Sequence, residues 1–202
     1  MAIIASDNGG GGDFKQIPQG THIAICNMVV DLGKQKVDWQ GQTKIQHKIY
    51  IRWELPHERL QWTDRDGNER EGPMVANKIY TCSLNERAAL RGDLEAWRGR
   101  AFTPEELEAF DVGKLLGAPC AITVTHTEKN GKTYANVTGI AGIPKGMDRP
   151  TKTENPMIIF DDEHPDAYND LPEWLQKKID EQVKEQPPVK ADYSDLDDDV
   201  PF

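Results

Sequence analysis

Between Lys44 and Leu55 charged and apolar side chains alternate at a spacing of two. Lys44, Gln46, Lys48, Tyr50, Arg52 and Glu54 share one parity; Ile45, His47, Ile49, Ile51, Trp53 and Leu55 share the other. Successive side chains of a strand take opposite faces, so the second set reads as a core face and the first as cations around an aromatic ring. Cations attract phosphates and an aromatic plane stacks a base, which is the chemistry of gripping a single nucleic-acid strand without reading its sequence. Lys78 and Tyr80 repeat the pairing in the next strand. Lys34, Lys36 and Trp39 sit in the loop before, and Arg59, Trp62, Arg65 and Arg70 in the loop after. The same alternation also describes an ordinary solvated strand face, so other features must decide between the two.

The elements that would position these residues follow from local pattern. Residues 21–32 and 44–55 read as strands, the second ended by Pro56, with a polar loop at 33–43 and a turn at Gln40-Gly41 between them. A long charged loop covers 57–73, and a third strand covers 74–83. From Leu84 to Trp97 apolar residues recur at helical spacing. Thr103, Pro104 and Glu106 supply a capping box and a first-turn proline for a short second helix. Strands at 118–126 and 132–143 join across Asn130-Gly131, a strong hairpin signal. Three strands, a helical insert and two strands are the element order of an OB-fold, a mainly β, five-stranded Greek-key barrel. The expected organisation is a flexible Gly-rich arm (1–16), the barrel (17–145), a polar linker (146–186) with an amphipathic helix near 171–184, and a disordered acidic tail (187–202).

Charge separates along the same boundaries. The net charge is −10, yet residues 1–150 hold 19 basic and 19 acidic side chains, whereas 151–202 hold 5 and 15. The excess is therefore in the tail, which leaves the barrel free to carry a basic surface. Cys26, Cys82 and Cys120 have no metal-ligand spacing and read as buried thiols of a reducing cytoplasm. No apolar run is long enough to span a membrane, and Met1–Ala5 does not open like a secretory signal, so a cytoplasmic protein is expected.

The tail carries the most specific signal. Asp197, Asp198 and Asp199 lead directly into Val200, Pro201 and Phe202. Such a tip suits a pocket that takes the phenylalanine ring, with basic residues around it for the acids. These six residues closely resemble the terminal hexapeptide of bacterial single-stranded DNA-binding proteins, with valine in place of the usual isoleucine. The resemblance implies docking onto replication or repair proteins: a polymerase, helicase, nuclease or primase. The body differs from that family in lacking a long Gly/Gln-rich linker. Its segments 78–86, 94–100, 102–106 and 111–117 instead resemble phage-encoded single-stranded DNA-binding proteins, which implies single-stranded DNA coating in phage replication or recombination. The bacterial tetramer does not carry over.

Two other classes fit less well. A metal-dependent nuclease needs carboxylates on a rigid site, but the densest acids lie on the tail, and His22, His47, His57, His126 and His164 match no catalytic signature. No enzyme activity, cofactor or metal is expected. An acidic adaptor or DNA mimic would spread negative charge over the folded body, which here is neutral. A further expectation is that the tail folds back on the basic face and competes with DNA.

Overall fold

The largely apolar stretch from Ile23 to Leu32, interrupted by Asn27 and Asp31, forms the centre of β1 (Gly20–Trp39), which pairs antiparallel with both β2 (Gln42–Thr63) and β4 (Pro119–Lys129). A computed structural model of the chain describes residues 15–183 apart from Gln40 and Arg65, and leaves out the Trp39 side chain. Residues 1–14 of the expected arm, the whole of the expected tail and its tip lie outside the described residues. β2 pairs with β3 (Glu69–Thr81) and β4 with β5 (Lys132–Ala141), giving the order β3-β2-β1-β4-β5. β3 meets β5 at the seam, so the five antiparallel strands nearly close into the OB-fold barrel.

The helical insert lies between β3 and β4: α1 (Ala89–Arg98), α2 (Pro104–Glu108) and a 3-10 turn at Val112–Leu115. Leu90, Leu94 and Trp97 of α1 enter the barrel core with Ile49, Ile51, Trp53, Leu55, Ile122 and Val124. The capping box forms as the sequence implies, with the Thr103 hydroxyl accepting from the Glu106 N–H and the Glu106 carboxylate from the Thr103 N–H. Arg100, the Thr103 N–H and Arg98 hold the Glu106 carboxyl down to about 2, from an ordinary value of 4.5. A depressed folded value means that this contribution is complete above the ordinary value and fades as pH falls toward about 2. Thermal stability should therefore fall more steeply with decreasing pH over that window in the natural protein than in a Glu106→Gln variant. Equal slopes would show that Glu106 is not held by the arginines.

Three two-stranded ribbons, β1–β2, β2–β3 and β4–β5, outrun the barrel. Much of the expected loops at 33–43 and 57–73 is in fact strand, with β1 running to Trp39, β2 from Gln42 to Thr63 and β3 from Glu69: Lys36 faces Ile45, and Trp62 faces Arg70. Pro56 does not end β2, because the ladder is interrupted between Leu55 and Arg59 and the strand resumes beyond it. A second irregularity, between Asp31 and Lys34, contains Gly33 in a left-handed conformation that its lack of Cβ permits. Asn130 and Gly131, both with positive φ, close the third ribbon as expected.

Residues 154–183 are not a linker but a strap across the barrel. Short β6 (Ile158–Phe160) adds parallel to β1 at Met28–Val30, and α3 (Glu173–Asp180) lies within the stretch expected to be helical. Ile158, Leu171, Leu175 and Ile179 bury with Met28, Val30, Leu32 and Tyr50 in a second core outside the barrel. The buried Glu54 carboxylate fixes the start of the strap by accepting from the Glu154 and Asn155 N–H groups (both 2.8 Å) and from Asn155 Nδ2 (2.7 Å). At its far end the Val183 N–H donates to the Lys34 carbonyl at 2.7 Å.

Candidate nucleic-acid interface

OB-folds take oligonucleotides on the outward face of the second and third strands and on the loops beside it. Here that face is half covered. Lys48, Tyr50, Arg52 and Glu54 do share it, but the strap lies over its β1–β2 side. Tyr50 is only 3% exposed, with its ring edge-on to Trp174 at 5.4 Å. Burial pushes its hydroxyl up to about 12. Arg52 is equally buried, and its Nε donates to Asn27 Oδ1 at 3.1 Å. The expectation that Tyr50 stacks a base and Arg52 takes a phosphate is thus corrected: both belong to the strap interface.

Lys78 and Tyr80 are corrected for a different reason. The β2–β3 register sets Tyr50 opposite Ile79, so Lys78 and Tyr80 pair with Ile51 and Ile49 on the core side. Tyr80 is 2% exposed, and its hydroxyl donates to Asp93 Oδ2 at 2.7 Å. Lys78 Nζ donates to the same oxygen, also at 2.7 Å. The pair anchors α1 to the barrel; burial first and Asp93 second push the Tyr80 hydroxyl upward.

The long-loop residues lie on the β2–β3 ribbon. Arg59 is held by Glu71 and Glu154, and Arg70 by Asp64. The Trp62 ring is half exposed and lies against Gly72. Residues 57–73 contain five acids against three arginines, a poor setting for phosphate.

Cations concentrate on the β1–β2 ribbon, where residues 33–48 hold Lys34, Lys36, Lys44 and Lys48 against the single acid Asp38. Lys44, Gln46 and Lys48 continue the outward barrel face, while Lys34 and Lys36 occupy the opposite side of the ribbon. Lys34, Lys36 and Lys44 are exposed; Lys48 is half-buried, donates to Thr81 Oγ1 at 2.9 Å, and has its ammonium value lowered by burial. Beside this ribbon a cleft of about 390 Å³ is lined by Asp31, Asp161 and Asp162 as well as by Lys34 and His47, so its carboxylates disfavour phosphate.

Sequence reasoning missed an aromatic group on the β4–β5 ribbon. Tyr134 is 41% exposed and pairs with Thr127, next to the Lys129–Lys132 pair on the same face. Alternation counted outward from Asn130-Gly131 places all three together, and this was the available signal. The chain matches no protein-family model and no curated protein.

Proposed function

We propose that this chain binds single-stranded DNA without sequence preference, in phage replication or recombination, and recruits replication or repair proteins through Asp197, Asp198, Asp199, Val200, Pro201 and Phe202. The observation that carries the reading is an OB-fold whose flanking ribbons present exposed lysines (Lys36, Lys44) and a tyrosine beside lysines (Tyr134, Lys129, Lys132). The resemblance of the acidic tip supports the recruitment half. The grip runs over Lys44, Lys48 and the uncovered side of β3 and ends on the β4–β5 ribbon; Tyr134 stacks a base and the lysines take phosphates. Fluorescent oligo(dT) titrated at two salt concentrations tests this. Binding should weaken with a log–log slope of about −0.7 per phosphate neutralised. Absence of binding, or a flat salt response, would instead favour an acidic adaptor that only displays its tip.

The last described residue, Val183, donates its N–H to the Lys34 carbonyl at the base of the lysine ribbon. Deleting residues 187–202 should therefore tighten oligo(dT) binding at low salt and abolish recruitment of partner proteins. An affinity unchanged by the deletion would remove the competition between tail and DNA.

A further inference from the structure

The strap ends in a helix whose flank borders the uncovered half of the outward face. Leu175 and Ile179 bury beneath α3 against β1 and β2. The Tyr168 hydroxyl donates to Asp180 Oδ2 at 2.8 Å, which sets one flank of α3 toward the 3-10 turn at Pro165–Asp170. The other flank carries Trp174 and, one turn later, Lys178, both half-buried. Trp174 meets Tyr50 of β2, so this flank looks along the sheet toward β3. The Lys178 carbonyl accepts from Gln35 Nε2 at 2.8 Å, which joins the end of α3 to the same face. Glu181 is the acid on this flank, and Lys177 Nζ lies 3.9 Å from it.

The floor beside the flank is free of acid. Gln35 pairs with Gln46, Lys48 with Thr81 and Tyr50 with Ile79, so these side chains share the outward face. Thr81 Oγ1 donates to Gln46 Oε1 at 3.3 Å and accepts from Lys48 Nζ, which ties β2 to β3 here. Ile79 is 41% exposed, although Tyr50 opposite it is covered by Trp174. An apolar step thus runs from Ile79 on the floor to Trp174 on the flank, with Lys48 on one side and Lys178 on the other.

We propose that α3 forms a second wall of the DNA groove: one base packs in the step between Ile79 and Trp174, and Lys178 takes a neighbouring phosphate. The proposal rests on the single-stranded DNA reading above and adds to it residues that no barrel strand supplies. Charge complementarity and continuity select the occupant. Lysines flank the step, and it adjoins the path from Lys44 over Lys48 to β3. An uncharged apolar peptide would fill the step and leave those ammonium groups without a partner. The strap therefore has two sides: it closes the β1–β2 half of the face to DNA and grips the strand along its border.

Oligo(dT) titrations of full-length variants over a range of salt test the wall. Lys178→Gln should reduce the magnitude of the log–log slope by about 0.7 and weaken binding roughly 5-fold at about 0.1 M salt. Lys178→Arg should keep both at their natural values. Ile79→Ala should weaken binding roughly 4-fold with the slope unchanged, because an apolar contact releases no counterion. Trp53 and Trp97 lie in the barrel core, so DNA quenching reports on the other indoles, and Trp174→Phe should lose part of it. Lys114→Gln removes the same charge from the helical insert and should bind like the natural chain. If the natural chain binds, an unchanged slope in Lys178→Gln or unchanged quenching in Trp174→Phe overturns the wall and leaves the DNA reading standing. No binding by the natural chain overturns both.

Discussion

Leu175→Ala is expected to lower the unfolding free energy by about 2–5 kcal/mol, the range for truncating a fully buried leucine. Leu175 is inaccessible to solvent between the strap and the outer surface of β1 and β2. Its loss leaves a cavity that Met28, Val30 and Tyr50 can fill only in part. Met157 precedes β6 and is 57% exposed, so Met157→Ala provides the control and should change stability by no more than about 0.5 kcal/mol. Denaturant unfolding of both variants measures the difference. Equal stabilities would mean that the strap is not an integral layer, and the burial of Tyr50 and Arg52 would lose its support. Oligo(dT) affinity of folded Leu175→Ala should stay near that of the natural protein, because the interface it loosens lies off the proposed DNA path.

Tyr134→Ala should weaken oligo(dT) binding by about 1–3 kcal/mol, roughly 5- to 150-fold, if one base stacks on the ring. Tyr50→Phe should leave binding unchanged, since its ring lies under Trp174. Lys44→Glu tests the other component. Lys44 is exposed, so reversing its charge should cost affinity and reduce the magnitude of the salt slope by about 0.7. Lys78→Glu acts on a different quantity: it places a carboxylate beside Asp93 and should destabilise the packing of α1. Stopped-flow or equilibrium anisotropy at two ionic strengths separates these outcomes. A large loss in Tyr50→Phe with none in Tyr134→Ala would reverse the assignment.

What the sequence disclosed was mostly local chemistry. Asn130-Gly131, the Thr103 capping box and the helical spacing of Leu90, Leu94 and Trp97 each specify their element through a few neighbouring residues. The barrel order followed from the sequence of those elements. The candidate site was legible only in part, because it depends on relations between distant segments. Lys78 and Tyr80 have the right composition and the wrong parity; the register across the Leu55/Arg59 irregularity decides this, and no residue within β3 reveals it. Tyr50 was misplaced because the strap that buries it lies a hundred residues away. One signal for the strap was present in β1. Ala24 and Cys26 face the barrel, whereas Met28, Val30 and Leu32 face outward, and all are buried. A strand apolar on both faces needs a layer on each side. The ribbons read as loops because charge and proline are poor guides to pairing beyond a barrel's edge.

Photocrosslinking of oligo(dT) to the full chain, with the adducts mapped by mass spectrometry, tests the location of the DNA surface most directly. Adducts on Tyr134 and on the β1–β2 ribbon, with none on Tyr50 or Tyr80, are the predicted result. Adducts on Tyr50 or Tyr80 would show that the strap or α1 moves aside for DNA. Adducts confined to the acidic β2–β3 ribbon, or none at saturating oligonucleotide, would contradict the proposed surface altogether.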